Sequence, residues 1–267
     1  MSSFIPLYPY PILIIESSNF SSYLVISDIH IGFEDKINKK GVFIDSKKNV
    51  DELIDILSKT IHKTQIKNMI ILGDLKSSTY AITQSEWDNV PYFVRSLAKL
   101  CNIYLIPGNH DGNITHLVSN IVNLMSAKGM EINDILLTHG HAIPKIGKNI
   151  SKIVTGHLHP VLIKEGNILN GQRVWIKIML KKNDCDSKKN MANVNAERKM
   201  DFIIIPHFNN YLTSGIDFSI ENKLKGKSKL PLFNNLITKQ HWKIEEVFVM
   251  SLDGALIGSE NELNKIL

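Results

Sequence analysis

Cysteine and long apolar runs are both scarce in this chain of 267 residues. Two cysteines, Cys101 and Cys185, cannot build a disulfide framework, so a reducing, cytoplasmic compartment is the simplest expectation. No apolar run approaches the length that spans a bilayer, and no Lys or Arg precedes the first apolar stretch. We therefore expect neither a membrane partner nor a signal peptide. Repeats and clear domain boundaries are also lacking, which favours a single domain over residues 1–267.

An excess of acidic residues is lacking as well, and the formal net charge is +5. Much of this charge falls in two polar segments, a predicted loop or insertion at 181–200 and a second loop at 221–229. Their basic residues are Lys181, Lys182, Lys188, Lys189, Arg198, Lys199, Lys223, Lys225, Lys227 and Lys229. Two interpretations stay open: phosphate contacts at the rim of a site, or solvated charges facing elsewhere.

Apolar periodicity changes along the chain. Residues 12–15 and 23–27 are typical of strands, and helical spacing is found at 50–61, at 87–100 with Pro91 near the start, and at about 115–125. After residue 160 the pattern indicates strands at 173–179, 202–205 and 244–250, with no long helix between them. The first part therefore predicts alternating strands and helices, and the second part mainly strands.

Five short polar motifs each follow directly after an apolar, β-branched run. They occupy residues 28–30, 73–74, 108–111, 138–141 and 156–159 and contain six of the ten histidines. Buried strands with polar residues at their carboxyl ends are typical of open α/β sheets, where sites collect at that edge. Carboxylate, imidazole and amide ligands suit Mn²⁺, Fe, Zn²⁺ or Co²⁺. The sequence therefore predicts a metalloenzyme.

The spacing within the motifs also predicts local geometry. Asp28 and His30, like His157 and His159, are two residues apart and would point the same way if the backbone were extended. Glycine at position 73 or 156 would let the backbone turn tightly beside a metal.

This ordered set of motifs resembles the calcineurin-like metallophosphoesterases, and within them the archaeal and bacterial branch related to double-strand-break repair nucleases. The resemblance runs from about residue 27 to 160 and includes 203–208. It implies a four-layered α/β/β/α sandwich and two divalent transition-metal ions, most simply Mn²⁺. Asp28, His30 and His159 would hold one ion, Asn109, His139 and His157 the other, and Asp74 would bridge them.

The resemblance further implies hydrolysis by a hydroxide shared between the metals, with His110 as general acid. His110 could instead be a structural hydrogen-bonding residue. Family protein phosphatases follow Gly-Asp with a further Asp and an Arg, whereas here Leu75 and Lys76 follow Asp74. That departure argues against a protein phosphatase and leaves Asp111 or Ser77 to orient His110. For His141 and His207, a contact at the site and a structural role both stay open.

We therefore expect a metal-dependent phosphodiesterase whose substrate could be DNA or RNA. Two alternatives remain: a phosphoesterase for small molecules such as nucleotides, and a metal-binding regulatory module with little turnover. No set of aromatic residues for stacking single-stranded bases can be picked out. Protein partners and oligomeric state, including a homo-oligomer, stay undecided.

Overall fold

The computed structural model describes residues 3–17, 21–118, 120–162, 170–183, 197–212 and 230–259. Within these ranges the strands form one sheet of six and one of seven. The first sheet has its strands in chain order: β1 (Ser3–Pro6), β2 (Leu13–Glu16), β3 (Ser22–Ile26), β4 (Asn68–Leu72), β5 (Asn102–Ile106) and β6 (Asn123–Leu124). Strands β3 to β6 are parallel, while β1 and β2 pair antiparallel at one edge.

The second sheet is built from the strands that follow in sequence. They are β7 (Met130–Ile132), β8 (Ile135–Thr138), β9 (Lys152–Thr155), β10 (Val174–Asn183), β11 (Glu197–Ile204), β12 (Lys243–Ser251) and β13 (Leu256–Ser259). Their order is β13-β12-β10-β11-β9-β8-β7. Strands β8, β9 and β11 pair in parallel, and β12 runs in the same direction because both β11 and β12 are antiparallel to β10. Among the described strands, these four have their carboxyl ends at one edge.

Helices cover the outer faces of both sheets. They are α1 (Glu34–Asn38), α2 (Ser46–Thr64), α3 (Gln84–Ala98), α4 (Thr115–Val118) and α5 (Pro231–Asn234), which continues as a π-helical turn (Asn235–Lys239). Asp45 caps α2 by accepting hydrogen bonds from the Lys47 and Lys48 amides. Pro91 lies inside α3 and not near its start as predicted. Within the described residues, none of the helices is long and apolar enough to cross a bilayer.

Three apolar layers separate these four layers of secondary structure. Alternate residues of β2 illustrate the division, because Ile14 packs under the helices α2 and α3 whereas Leu13 and Ile15 face the second sheet. Trp175 and Ile203 meet them from the opposite side of the inter-sheet core. The predicted four-layered α/β/β/α sandwich is confirmed.

The helix predicted at about 115–125 is wrong beyond its first turn. Helix α4 ends at Val118, and Asn120 has a left-handed φ of +64°. The Asn123 and Leu124 backbones then pair with β5 as the short strand β6. Ile121 and Val122 still pack against the core, so the apolar spacing was real but did not require a helix.

The loop predicted at 181–200 is wrong at both of its ends. Strand β10 continues to Asn183 and β11 begins at Glu197, with Lys181 opposite Lys199 in the ladder. Both lysines lie within 4.0 Å of Glu197 and Glu245 carboxylate oxygens, which offset their repulsion. Residues 184–196, and the Lys-rich loop predicted at 221–229, lie outside the described ranges.

Candidate metal centre

The polar motifs meet where parallel strands of the two sheets end. Residues 28–30 follow β3, residues 73–74 follow β4, and residues 108–111 follow β5. From the second sheet, His139 follows β8 and residues 157–159 follow β9. Because these carboxyl ends converge, side chains from positions far apart in sequence share one site, as the strand-end pattern predicted.

Two groups of side chains there have the geometry of a metal site. One contains Asp28, His30, Asp74 and His159, and the other contains Asp74, His139 and His157, with ligand atoms within 4.8 Å of one another in each. Asn109 joins the second group, because its Oδ1 lies 3.2 Å from His139 Nε2. Asp74 belongs to both groups.

Distances within the cluster suit shared cations. The Nε2 atoms of His30 and His139 lie 3.4 and 3.3 Å from Asp74 Oδ2, and His159 Nε2 lies 3.0 Å from Asp28 Oδ1. Two imidazole pairs approach nitrogen to nitrogen, at 3.3 Å for His30 with His159 and at 3.0 Å for His139 with His157. Neutral imidazoles and carboxylates converging in this way fit divalent transition metals.

Neighbouring groups orient these side chains. The Nδ1–H of His139 donates to the Leu72 carbonyl at 2.7 Å, which leaves Nε2 facing the cluster. Asp28 Oδ2 accepts from the Ser27 hydroxyl at 2.5 Å and from the His157 amide at 3.0 Å, so Oδ1 is the oxygen directed at the histidines. The donor set is therefore held in place by the protein itself.

Burial and neighbouring charges set the protonation states of these side chains. Burial lowers the pKa of His157 to about 4 and lowers that of His30. Burial opposes ionisation of Asp28 and Asp74, but the adjacent histidines outweigh it and lower both pKa values. For His139, burial disfavours the imidazolium, yet the bond to Asp74 raises its pKa to about 9. A cation at that position must displace a proton, so metal affinity should fall as the pH falls.

Five of these residues adopt left-handed backbone conformations, whereas an extended backbone was expected at 28–30 and 157–159. They are Asp28, His30, Asp74, His157 and His159, with φ between 48° and 68°. Non-glycine residues rarely adopt such φ values, which concentrate at functional sites because the surrounding fold must enforce them. The side chains thus converge through tight left-handed turns.

The two glycines expected beside the metals serve different needs. Gly73 has a φ of +74°, and an added Cβ would lie 2.6 Å from the His139 ring. Gly156 lacks a left-handed φ, but its Cβ would lie 1.7 Å from Ser27 Oγ and 2.5 Å from Asp28 Oδ2. Even alanine at position 156 would displace the Asp28 carboxylate.

His110 lies beside the cluster and outside both ligand groups. Its Nδ1–H donates to the Ser77 carbonyl at 2.6 Å, its Nε2 lies 4.0 Å from Asp74 Oδ2, and its side chain is 22% exposed. Asp111 accepts from the backbone amides of Gly108, Leu75 and Lys76 at 2.8, 2.9 and 3.3 Å. Of the two residues considered for orienting the ring, the geometry therefore favours Ser77, through its backbone oxygen, over Asp111.

Sequence reasoning missed a buried polar network behind His110. The Lys76 ammonium is fully buried and donates to the carbonyls of Ser78 and His110, the latter at 2.5 Å. The fully buried Glu86 carboxylate accepts from the Ser77 and Ser78 amides, the Ser78 hydroxyl and the Thr83 amide. This network fixes the segment whose Ser77 carbonyl holds His110.

Glu86→Ala should lower the free energy of unfolding by about 3 kcal/mol, because four donors, one buried and three partly buried, would lose their acceptor. Glu86→Gln should cost less, since one amide oxygen can still accept. Urea unfolding of metal-loaded protein measures both. The exposed Glu52→Ala is the matched control, and a loss no larger than that control's would contradict the network's structural role.

The two histidines whose roles were left open, His141 and His207, differ in their position relative to the metal cluster. Gly140 has a φ of +113°, so the chain is not extended through it, and the His141 ring lies 5.3 Å from that of His139, outside both ligand groups. His207 is buried, and its ring centroid lies 5.4 Å from that of His159. His207 therefore adjoins the site.

The match to a known protein family covers all five motifs. The family model for calcineurin-like phosphoesterases matches residues 21–207. The chain belongs to the calcineurin-like phosphoesterase family. It is therefore a metal-dependent hydrolase of phosphate esters. The family binds divalent metals, and the Asp and His clusters of this chain have the composition and spacing to hold them. No curated protein matches this metallophosphoesterase significantly.

Solved structures similar to this metallophosphoesterase include three that differ widely in sequence. The Pseudomonas putida nuclease MPE is 14% identical with a TM-score of 0.48, and the match covers 81% of this chain and 93% of that one. An archaeal phosphodiesterase is 15% identical with a TM-score of 0.35, covering 72% and 87%. The E. coli phosphoesterase Yfce is 13% identical with a TM-score of 0.36, covering 89% and 97%.

Proposed function

We propose that the protein is a dinuclear metal-dependent phosphodiesterase. The observation that carries the proposal is the position of Asp74 in both ligand groups, with oxygen Oδ2 near a histidine of each. In this proposal Asp28, His30 and His159 hold one ion, while His139, His157 and Asn109 hold the other. Two bound divalent ions, Mn²⁺ in the simplest case, would polarise a water and bind the phosphate oxygens.

The remaining chemistry belongs to side chains around the cluster. His110, held through Nδ1 by the Ser77 carbonyl, presents Nε2 toward the cluster and would donate a proton to the leaving oxygen. The burial of Asp28 and Asp74 keeps water from screening their charges. Asp111 contributes indirectly, because its bonds to the amides of Gly108, Leu75 and Lys76 join two loops of the site.

A diester fits this site better than a monoester. A monoester dianion carries a second negative charge that a cationic side chain would bind. The cationic residue that follows Asp74 most closely is Lys76, and its ammonium is buried against two carbonyls. It is therefore unable to reach a phosphate over the cluster. A regulatory module with little turnover is disfavoured, because seven ligand residues and His110 are assembled together.

The position of the basic residues in β10 and β11 removes one argument for a nuclease. Strand β11 runs from Glu197 toward the site, so Arg198 and Lys199 lie at the end of the sheet remote from His207. Lys181 and Lys182 pair with them there, and Arg198 donates to the carbonyls of residues 147, 148 and 150. These described basic residues do not border the metal cluster. A phosphodiesterase acting on small molecules therefore remains the second candidate.

Protein reconstituted with Mn²⁺ should contain close to two metal ions per chain, because two ligand groups share Asp74. Elemental analysis after dialysis gives the ratio. His141→Ala should keep it near two, since His141 adjoins His139 without joining either group. A ratio near zero for the parent protein would rule out the dinuclear proposal. Hydrolysis of bis-p-nitrophenyl phosphate well above p-nitrophenyl phosphate would support the diester preference, and single- and double-stranded DNA would test the nuclease form.

A further inference from the structure

A cavity of about 580 Å³ lies at the same strand-end edge as the metal centre. Its wall includes Arg173 at the start of β10, Ser251 at the end of β12 and His207 just after β11. In the sheet these strands follow directly on β9, whose end carries His157 and His159. The cavity therefore lies beside the metal centre, along the edge of the second sheet.

The wall between the cavity and the cluster is tied to the metal loop. His207 lines the cavity, and its ring lies 5.4 Å from that of His159. The next residue, Phe208, donates its amide to the Ser27 carbonyl at 2.9 Å, and Asn209 donates its side-chain amide to the Ile29 carbonyl at 2.9 Å. The loop bearing Asp28 and His30 is thus joined to the cavity wall by two hydrogen bonds.

The cavity is preformed, because its arginine is already immobilised. Arg173 Nη1 donates to the carbonyls of His207 and Phe208 at 2.9 and 3.1 Å, and Nη2 donates to Asn210 Oδ1 at 2.7 Å. A ligand would therefore meet a fixed wall, with little side-chain entropy left to lose on binding.

The chemistry of the wall selects the class of ligand. Pro9, Leu212 and Leu252 supply apolar surface, while Gln172 and Asn210 supply amides. One arginine and one aspartate, Arg173 and Asp253, offset each other, and the arginine already has three acceptors. The cavity is thus poorly suited to a second phosphate. Apolar faces with both donors and acceptors suit a neutral heterocycle and sugar, and the volume lies within the usual range for such ligands.

We propose that this cavity binds the nucleoside of a phosphodiester whose phosphate lies over the metal centre. The proposal rests on the proposed phosphodiesterase function and specifies its substrate class. His207, buried between His159 and the cavity with an Nδ1 atom that has no hydrogen-bond partner in the described residues, would be a contact on the path from phosphate to nucleoside.

Two diesters with the same leaving group test the proposal. Thymidine 5′-(p-nitrophenyl phosphate) can fill the cavity, whereas methyl p-nitrophenyl phosphate cannot. The Mn²⁺-loaded parent should prefer the thymidine ester in kcat/KM by roughly tenfold or more. Gln172→Trp places an indole at an exposed position of the wall. It should bring the ratio of the two kcat/KM values close to one. Lys243→Trp is the matched control, since Lys243 is exposed at the remote end of β12.

A readout without turnover separates this proposal from the proposed function. Saturation-transfer NMR should detect thymidine with the parent and with Lys243→Trp, and lose the signal with Gln172→Trp. If neither ester is hydrolysed, the proposed function fails while thymidine binding still decides on the cavity. The cavity proposal is overturned if thymidine gives no signal with the parent, or if Gln172→Trp slows both esters equally. It is also overturned if Gln172→Trp slows the hydrolysis of p-nitrophenyl phosphorylcholine and leaves that of the thymidine ester unchanged.

Discussion

Asp74→Asn is expected to reduce bound metal from about two ions per chain to one or fewer and to abolish nearly all phosphoesterase activity. Asp74 Oδ2 lies 3.4 Å from His30 Nε2 and 3.3 Å from His139 Nε2, so one oxygen serves both ligand groups. Asparagine preserves the shape of the side chain but removes the charge that offsets two cations. Losing the second ion would remove several kcal/mol of transition-state stabilisation, or roughly 10³-fold in rate.

The test of this prediction needs metal content and rate from the same samples. Asp74 Oδ1 also accepts from the His110 amide at 2.8 Å, and an asparagine oxygen can keep that bond, so the loop should hold its position. Asp88→Asn, an exposed substitution on α3, controls for the loss of one carboxylate. If Asp74→Asn retains two ions and a rate within tenfold of the parent, Asp74 does not bridge metals.

The sandwich could be predicted because its elements have clear apolar periods. Helix α2 and strand β4 bury residues at the spacing expected of a helix and of a strand enclosed on both faces. The segment at 115–125 could not be predicted, because Ile121 and Val122 have helical spacing while Asn120 ends the helix through a left-handed φ. Residues 181–183 and 197–199 escaped prediction because paired charges, and not burial, stabilise those strand ends.

The convergence of the motifs could be predicted for a different reason. Once each motif follows a strand, parallel pairing of β3, β4 and β5 places Asp28, Asp74 and Asn109 at one edge whatever the local backbone does. The left-handed φ values of Asp28 and Asp74 could not be predicted, because they depend on turns that only the assembled site enforces.

The buried charge and the cavity could not be predicted from the sequence, for the same physical reason. In the sequence Lys76 looks like a surface lysine, but in the fold its ammonium donates hydrogen bonds to the Ser78 and His110 carbonyls. The cavity wall joins Pro9, Arg173 and His207 from three distant parts of the chain. Such features depend on tertiary neighbours, which periodicity along the chain does not encode. The expected single domain stays a prediction.

His110→Ala is expected to keep both metal ions while slowing diester hydrolysis by roughly 10²–10⁴-fold, the range for loss of a general acid. His110 stands outside both ligand groups, with Nε2 4.0 Å from Asp74 Oδ2 and Nδ1 held by the Ser77 carbonyl. Truncation removes the proton donor and leaves the backbone amide free to bond Asp74 as before. Metal content should therefore match the parent's.

The leaving group separates acid catalysis from a structural role for His110. A p-nitrophenolate departs without protonation, so His110→Ala should slow the p-nitrophenyl ester far less than an alkyl diester. His116→Ala is the matched control, because His116 is an exposed residue of α4. It should change neither the rate nor the metal content. Equal losses for both esters would indicate that His110 only positions the substrate. Loss of the metals themselves would make His110 a ligand, and a different residue would then have to protonate the leaving oxygen.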